Sequence, residues 1–178
     1  MSRRRPPQYD LPKAAPGALR VVQVLVNTTD GHERELLPEW LEEHGVHATP
    51  AALARARVVR EAFRRLLIAN NEGTGVSAEA AEALEQAAAR AHLSIRFTSL
   101  PELVPLADGV DGALGRVLAA AFACMEDGSW TRLKACRNCH WAFYDESRNR
   151  SAAWCSMQLC GNRLKTKAYR RRLAARTA

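Results

Sequence analysis

Four cysteines near the C-terminus, spaced Cys136-x2-Cys139-x15-Cys155-x4-Cys160, constrain this chain more than any other feature. Two close pairs of thiols can bring four sulfurs to the corners of a tetrahedron, and a structural zinc ion takes four soft ligands in that arrangement. A C-x2-C pair works because a tight turn aims both thiolates at one point. The second pair sits where a helix is expected to begin, so its first turn presents both sulfurs. Between the pairs, HWAFYDESRNRSAAW predicts a short β-hairpin with a polar tip. Knuckle, hairpin and helix make a treble-clef arrangement. Disulfide pairing would fit an oxidising compartment, which nothing in the sequence indicates. A redox C-x-x-C would expect a preceding strand and a βαβ context, and neither is visible. Four thiolates leave no open coordination position, so the expected zinc is structural and not catalytic.

The charge distribution says where a partner would bind. The net charge of +7 over 178 residues is unevenly placed. Residues 131–178 carry 12 Lys/Arg and 2 Asp/Glu, a net of +10, which leaves −3 for residues 1–130. A concentration of this kind points to a polyanion at the C-terminal module. After Cys160, Arg163, Lys165, Lys167, Arg170, Arg171, Arg172 and Arg176 follow within sixteen residues. On a continuing helix Arg163, Lys167, Arg170 and Arg171 share one side, a stripe able to lie in a major groove or along phosphates. Asp145 is placed to pair with Arg163 or to cap a turn, and both readings stay open. Trp130, Trp141 and Trp154 are expected to pack the finger rather than to stack on bases, and His140 to lie on its surface.

Upstream, the pattern is mainly helical. Residues 1–16 hold four prolines and three consecutive arginines and read as a loose arm. ALRVVQVLVN reads as a helix ending near Asn27, and LLPEWLEEHG as a short helix stopped by Gly45. Thr49-Pro50 supplies a cap and a first-turn proline for AALARARVVREAFRRLLIANN, the clearest amphipathic helix, with Leu53, Ala56, Val59, Phe63, Leu66 and Leu67 along one stripe. Ser77 caps an alanine-rich helix. LSIRFTS alternates as a half-buried strand, broken by Pro101, with ELVPL as its return and Pro105 at an edge. GVDGALGRVLAAAFACMEDG resumes helix to about Asp127, with Cys124 as a small buried hydrophobe. The expected class is thus mainly α with a small β-hairpin (α+β). A helical domain over 17–130, with its hairpin near 93–106, precedes a four-cysteine zinc finger over 131–178.

The C-terminal stretches WTRLKAC and HWAFYDESRNRSAAWCSMQLCGNRLKTKAYRRR closely resemble the CGNR zinc finger, whose name Cys160-Gly161-Asn162-Arg163 spells out. LVNTTDG, LLPEWLEEHGV, TPAALARARVVREAF and VDGALGRVLAA resemble the ABATE domain that precedes this finger. The resemblance covers about Leu19 to Arg172. It implies a stress-induced transcription regulator with DNA binding assigned to the finger, working in a bacterial cytoplasm and nucleoid-associated when bound.

The expected site is therefore zinc on Cys136, Cys139, Cys155 and Cys160, nucleic-acid contacts from Arg163, Lys165, Lys167, Arg170, Arg171 and Arg172, and supporting roles for Asp145 and Asn162. Double-stranded DNA is the expected partner. RNA, or docking of the finger on an acidic protein, is the alternative. No membrane partner is expected, since no apolar run approaches the roughly 20 residues a span needs. The body has neither a nucleophile motif nor a phosphate loop, so no enzyme is expected. It is left with pairing to a second copy or sensing a small ligand. The polar Asn27-Thr28-Thr29-Asp30 stretch is either pocket lining or a helix end. His44 and His47 read as loop surface.

Overall fold

The computed structural model describes residues 13–29, 35–162 and 166. Five helices and two antiparallel two-stranded sheets follow in the order α1 (Leu19–Val26), α2 (Leu37–Glu43), α3 (Pro50–Glu72), α4 (Ala78–Arg90), β1 (Leu93–Phe97), β2 (Pro101–Pro105), α5 (Gly109–Glu126), β3 (Leu133–Ala135) and β4 (Ala142–Tyr144). The caps read from sequence are in place. The Thr49 hydroxyl accepts from the Ala52 N–H at 3.3 Å and the Ser77 hydroxyl from Ala80 at 3.3 Å, each stabilising its helix by about 1 kcal/mol. Gly73 closes α3 at φ +71°, a left-handed conformation that glycine adopts without steric cost. No helix among the described residues is long and apolar enough to cross a membrane.

The core gathers one face from each of α1, α2, α3 and α5. Leu19, Val22 and Leu25 meet Trp40 and Leu41, Phe63 and Leu67, and Leu114 and Val117, all essentially inaccessible. Removing each such side chain from water contributes about 1.5–3 kcal/mol. Cys124 is among them, as expected of a small apolar side chain.

Three expectations change. The strand at Leu93–Phe97 is not half-buried along its length, since Ile95 is 59% and Phe97 83% exposed. Only the base of the β1–β2 hairpin packs on the body. Gly115 of α5 lets Pro105 approach so closely that an added Cβ would lie 2.6 Å from the Pro105 Cβ. The distal half extends past that support, and Pro101 opens β2 opposite Phe97. The arm expected over 1–16 is anchored at its end. Ala15 is buried, and the Lys13 carbonyl accepts from the Tyr144 N–H at 2.9 Å, while residues 1–12 lie outside the described residues.

The third change concerns the finger. Its hairpin does not lie between the cysteine pairs. β3 precedes the first pair and β4 follows it, with Leu133 opposite Tyr144, Lys134 opposite Phe143 and Ala135 opposite Ala142. The knuckle is itself the turn of the hairpin. Period-two alternation then gives the hairpin two faces. Leu133, Ala135, Ala142 and Tyr144 pack into the core of the body, whereas Phe143 joins Trp141 and the cysteines in a second cluster.

Candidate metal centre

The first two sulfurs are aimed by the knuckle. Ala135 and Ala142 hold its ends in register, the Cys136 N–H donates to the Trp141 carbonyl at 2.9 Å, and the His140 N–H donates to the Cys136 carbonyl at 2.8 Å. His140 turns the chain at φ +56° with its side chain exposed, and the cysteine cluster does not include it. The other two sulfurs come from Cys155 and from a short, widened helical turn, Met157–Gly161. The Ser156 hydroxyl caps that turn by accepting from the Leu159 N–H at 3.3 Å. Gly161 has a specific reason to be glycine. A Cβ would lie 2.6 Å from the Met157 sulfur and 3.1 Å from Cδ1 of Trp154.

The four ligand atoms lie within 4.8 Å of one another. Cys139 and Cys155 sulfurs are 3.7 Å apart, Cys155 and Cys160 3.7 Å, and Cys139 and Cys160 3.6 Å. A tetrahedron with Zn–S arms of about 2.3 Å has edges of about 3.8 Å, so the separations fit zinc. They are far from a disulfide, and none of the five cysteines forms one. Electrostatics points the same way. Hydrogen bonds from the Cys139 and Cys155 thiols, with backbone N–H groups of Cys155 and Asn138, drive Cys136 far below the ordinary thiol range. Cys139 is pushed above it by its hydrogen bonds to Cys136 and Cys155 and by burial. Without a cation the cluster resists a second negative charge, whereas a divalent metal stabilises all four thiolates together. The site is one for a single structural zinc, which when bound supplies folding energy to the finger.

Around the metal cluster stands a buried ion pair that the sequence did not reveal. Asp145 is 0% and Lys134 5% exposed, with Nζ 2.8 Å from the carboxylate. Asp145 also accepts from the Ser147 N–H at 2.9 Å, the Ser147 hydroxyl at 2.6 Å and the Ala152 N–H at 3.0 Å. Burial alone would raise its pKa, but the hydrogen bonds from Lys134 and Ser147 and the ammonium charge outweigh it and hold the carboxyl at about 2. Asp145 caps a turn, and its charge partner among the described residues is Lys134; the expected pairing with Arg163 falls outside the described residues. Asn162 is exposed, and its carbonyl accepts from the Thr166 hydroxyl at 2.8 Å. Arg163, Lys165, Lys167, Arg170, Arg171 and Arg172 lie outside the described residues. Trp130 and Trp141 are buried, and Trp154 is half-buried against the metal cluster.

The body holds the finger mainly by its backbone. The Asn27 amide makes a reciprocal pair with Ala142, accepting from its N–H at 2.8 Å and donating to its carbonyl at 2.9 Å. Arg64 donates to the His140 carbonyl at 2.8 Å and the Val26 carbonyl at 2.6 Å. Asn70 reaches the carbonyls of Trp130 and Leu133, and Asn71 those of Ala135 and Ala153. Asn27 and Thr28 are thus engaged internally. Thr28 donates to the Leu25 carbonyl and accepts from Arg60, which also pairs with Glu35 at 2.6 Å. His44 and His47 are exposed, as read from sequence.

Residues 132–173 match the family profile described as CGNR zinc finger, and residues 19–128 match ABATE, described as "Putative stress-induced transcription regulator". No curated protein matches the chain.

Proposed function

Because the chain belongs to the ABATE family and carries a CGNR zinc finger behind that domain, we propose that it is a DNA-binding regulator of transcription. In this reading the finger and the basic segment after it grip duplex DNA. Arg163, Lys165, Lys167, Arg170, Arg171 and Arg172 neutralise phosphates, and the arginines among them are able to hydrogen-bond guanine edges. The observation that carries the reading is the charge asymmetry, with +10 concentrated on the metal-pinned segment of an otherwise acidic chain. Zinc does no chemistry on substrate here, since four thiolates close its coordination. The body senses a small molecule or pairs two copies. Its contacts with the knuckle backbone, through Asn27 and Arg64, give any change in α1 or α3 a mechanical route to the finger.

The test is binding of a labelled random DNA duplex by the zinc-loaded protein, followed by fluorescence anisotropy across a salt series. Each neutralised phosphate steepens log K against log salt by about 0.9. A slope equivalent to several phosphates is expected. Absence of binding even at low salt refutes the reading and favours docking on an acidic protein.

A further inference from the structure

Resting on the DNA-binding reading, we propose that loop 146–151 of the finger is a second, preformed contact to duplex DNA, made by Arg148, Asn149 and Arg150. The loop is rigid from the inside. Asp145 takes four hydrogen bonds, three of them from Ser147 and Ala152 of the loop and its far end. Lys134 Nζ donates to the Arg150 carbonyl at 2.5 Å, and Arg132 to the carbonyls of Asp145 and Ser147 at 2.9 and 3.1 Å. The Ser147 hydroxyl accepts from the Ser151 N–H at 3.0 Å. A buried ion pair and a closed set of hydrogen bonds therefore fix the backbone.

The outward side chains contribute little to that architecture. Arg148 and Asn149 are exposed, and neither has a partner among the described residues. Arg150 adds a separate observation. Its backbone is left-handed, φ +50°, where glycine sits without steric cost and a side chain is strained. Among the described residues its guanidinium reaches the Thr131 hydroxyl, at an exposed 3.1 Å contact. Strain retained at a position whose side chain gives the fold one exposed hydrogen bond points to use of that side chain outside the fold.

The chemistry of the three groups selects the partner. Arginine presents a planar fork to a phosphate or to guanine, and asparagine pairs with the adenine edge or a phosphate oxygen. Because the loop is fixed, binding orders their side chains but not their backbone. A single strand would need exposed aromatic platforms, yet Trp141 and Phe143 are buried. Glu146 is exposed on the same loop, so the outward charge is only +1. The loop accordingly sets register, and most of the charge is left to the C-terminal segment.

Arg150→Gly separates this from a structural role. In the full-length zinc-loaded protein it should keep the zinc stoichiometry and hold or raise Tm. It should also weaken random-duplex binding at least about fivefold and flatten the salt slope by about 0.9. Arg148→Ala should do the same to binding, and Asn149→Ala should lower affinity without changing the slope. Wild-type affinity and slope in all three variants overturns the loop contact while leaving the DNA reading intact. Failure of the wild type itself to bind duplex removes the DNA reading, and this proposal with it. A loss confined to a labelled RNA single strand, with duplex binding unchanged, also overturns it.

Discussion

Replacing Asp145 by asparagine removes one charge from a fully buried pair and leaves the Lys134 ammonium without its carboxylate. Two routes give the size of the effect. A carboxyl held at about 2 in the fold, against about 3.9 in the unfolded chain, corresponds to about 2.6 kcal/mol at neutral pH. Breaking a buried pair from one side typically costs about 3–5 kcal/mol. Asp145→Asn should therefore destabilise by about 3 kcal/mol, a fall in Tm of roughly 6–12 °C for a chain of this size. Because the folded pKa lies below the unfolded one, the contribution is complete above about pH 4 and lost as pH falls to about 2. Loss of the metal as the thiolates protonate also removes the finger's folding energy, so the wild-type-minus-variant difference is read near neutral pH with zinc bound. Urea unfolding at saturating zinc, followed by tryptophan fluorescence, measures it. The Lys134→Met/Asp145→Asn pair should recover part of the loss, because no uncompensated charge remains and the amide oxygen can still accept from the loop. A cost under about 1 kcal/mol for Asp145→Asn, or simple additivity of the single changes, would refute the assigned role of the pair.

Other perturbations follow from the same contacts. Cys155→Ser should lose the zinc, and because Leu133, Ala135 and Ala142 belong to the core of the body, the whole chain should melt earlier in one transition; a separate, unshifted transition for the body would count against it. Asn27→Ala strands the buried N–H of Ala142, whose carbonyl still accepts from the Gln23 amide at 3.2 Å, and should cost about 1–3 kcal/mol, readable by urea unfolding with zinc bound. Gly161→Ala should weaken zinc affinity in a chelator competition, and Met157→Ala in the same chain should restore part of it by clearing the nearest clash. Phe97→Ser should change stability by no more than about 0.5 kcal/mol, in contrast to about 3–5 kcal/mol for Phe63→Ala, since only the latter is buried.

What could be read from the chain was what is written locally. The cysteine pairs, the caps at Thr49 and Ser77, and the stop at Gly45 each lie within a few residues of their effect. The fold of the finger was harder, because Leu133-Lys134-Ala135 is too short to show an alternating pattern and its partner strand is defined by pairing across the knuckle. Arg60 and Arg64 are charged residues of α3, and charge on an amphipathic helix is ordinarily solvated. They are instead 5% and 9% exposed, holding Thr28, Glu35 and two backbone carbonyls. No sequence period could signal this, since the partners of Arg64 are 38 and 76 positions away. The same holds for the pair of Lys134 with Asp145. Charge in a sequence reads as surface until a fold supplies its counter-charge.

The two-faced β3–β4 hairpin makes this finger poorly suited to transplantation. Grafted onto another protein, it would carry Leu133, Ala135, Ala142 and Tyr144 into water as an uncovered wall. A body cut free of it would leave the side-chain amides of Asn27, Asn70 and Asn71 without the backbone they meet, and Arg64 with only its partners in the body. Shuffling the two pieces among unrelated genes would damage both. The expected outcome over evolutionary time is co-inheritance, with drift in α1 and α3 disciplined by the knuckle they grip.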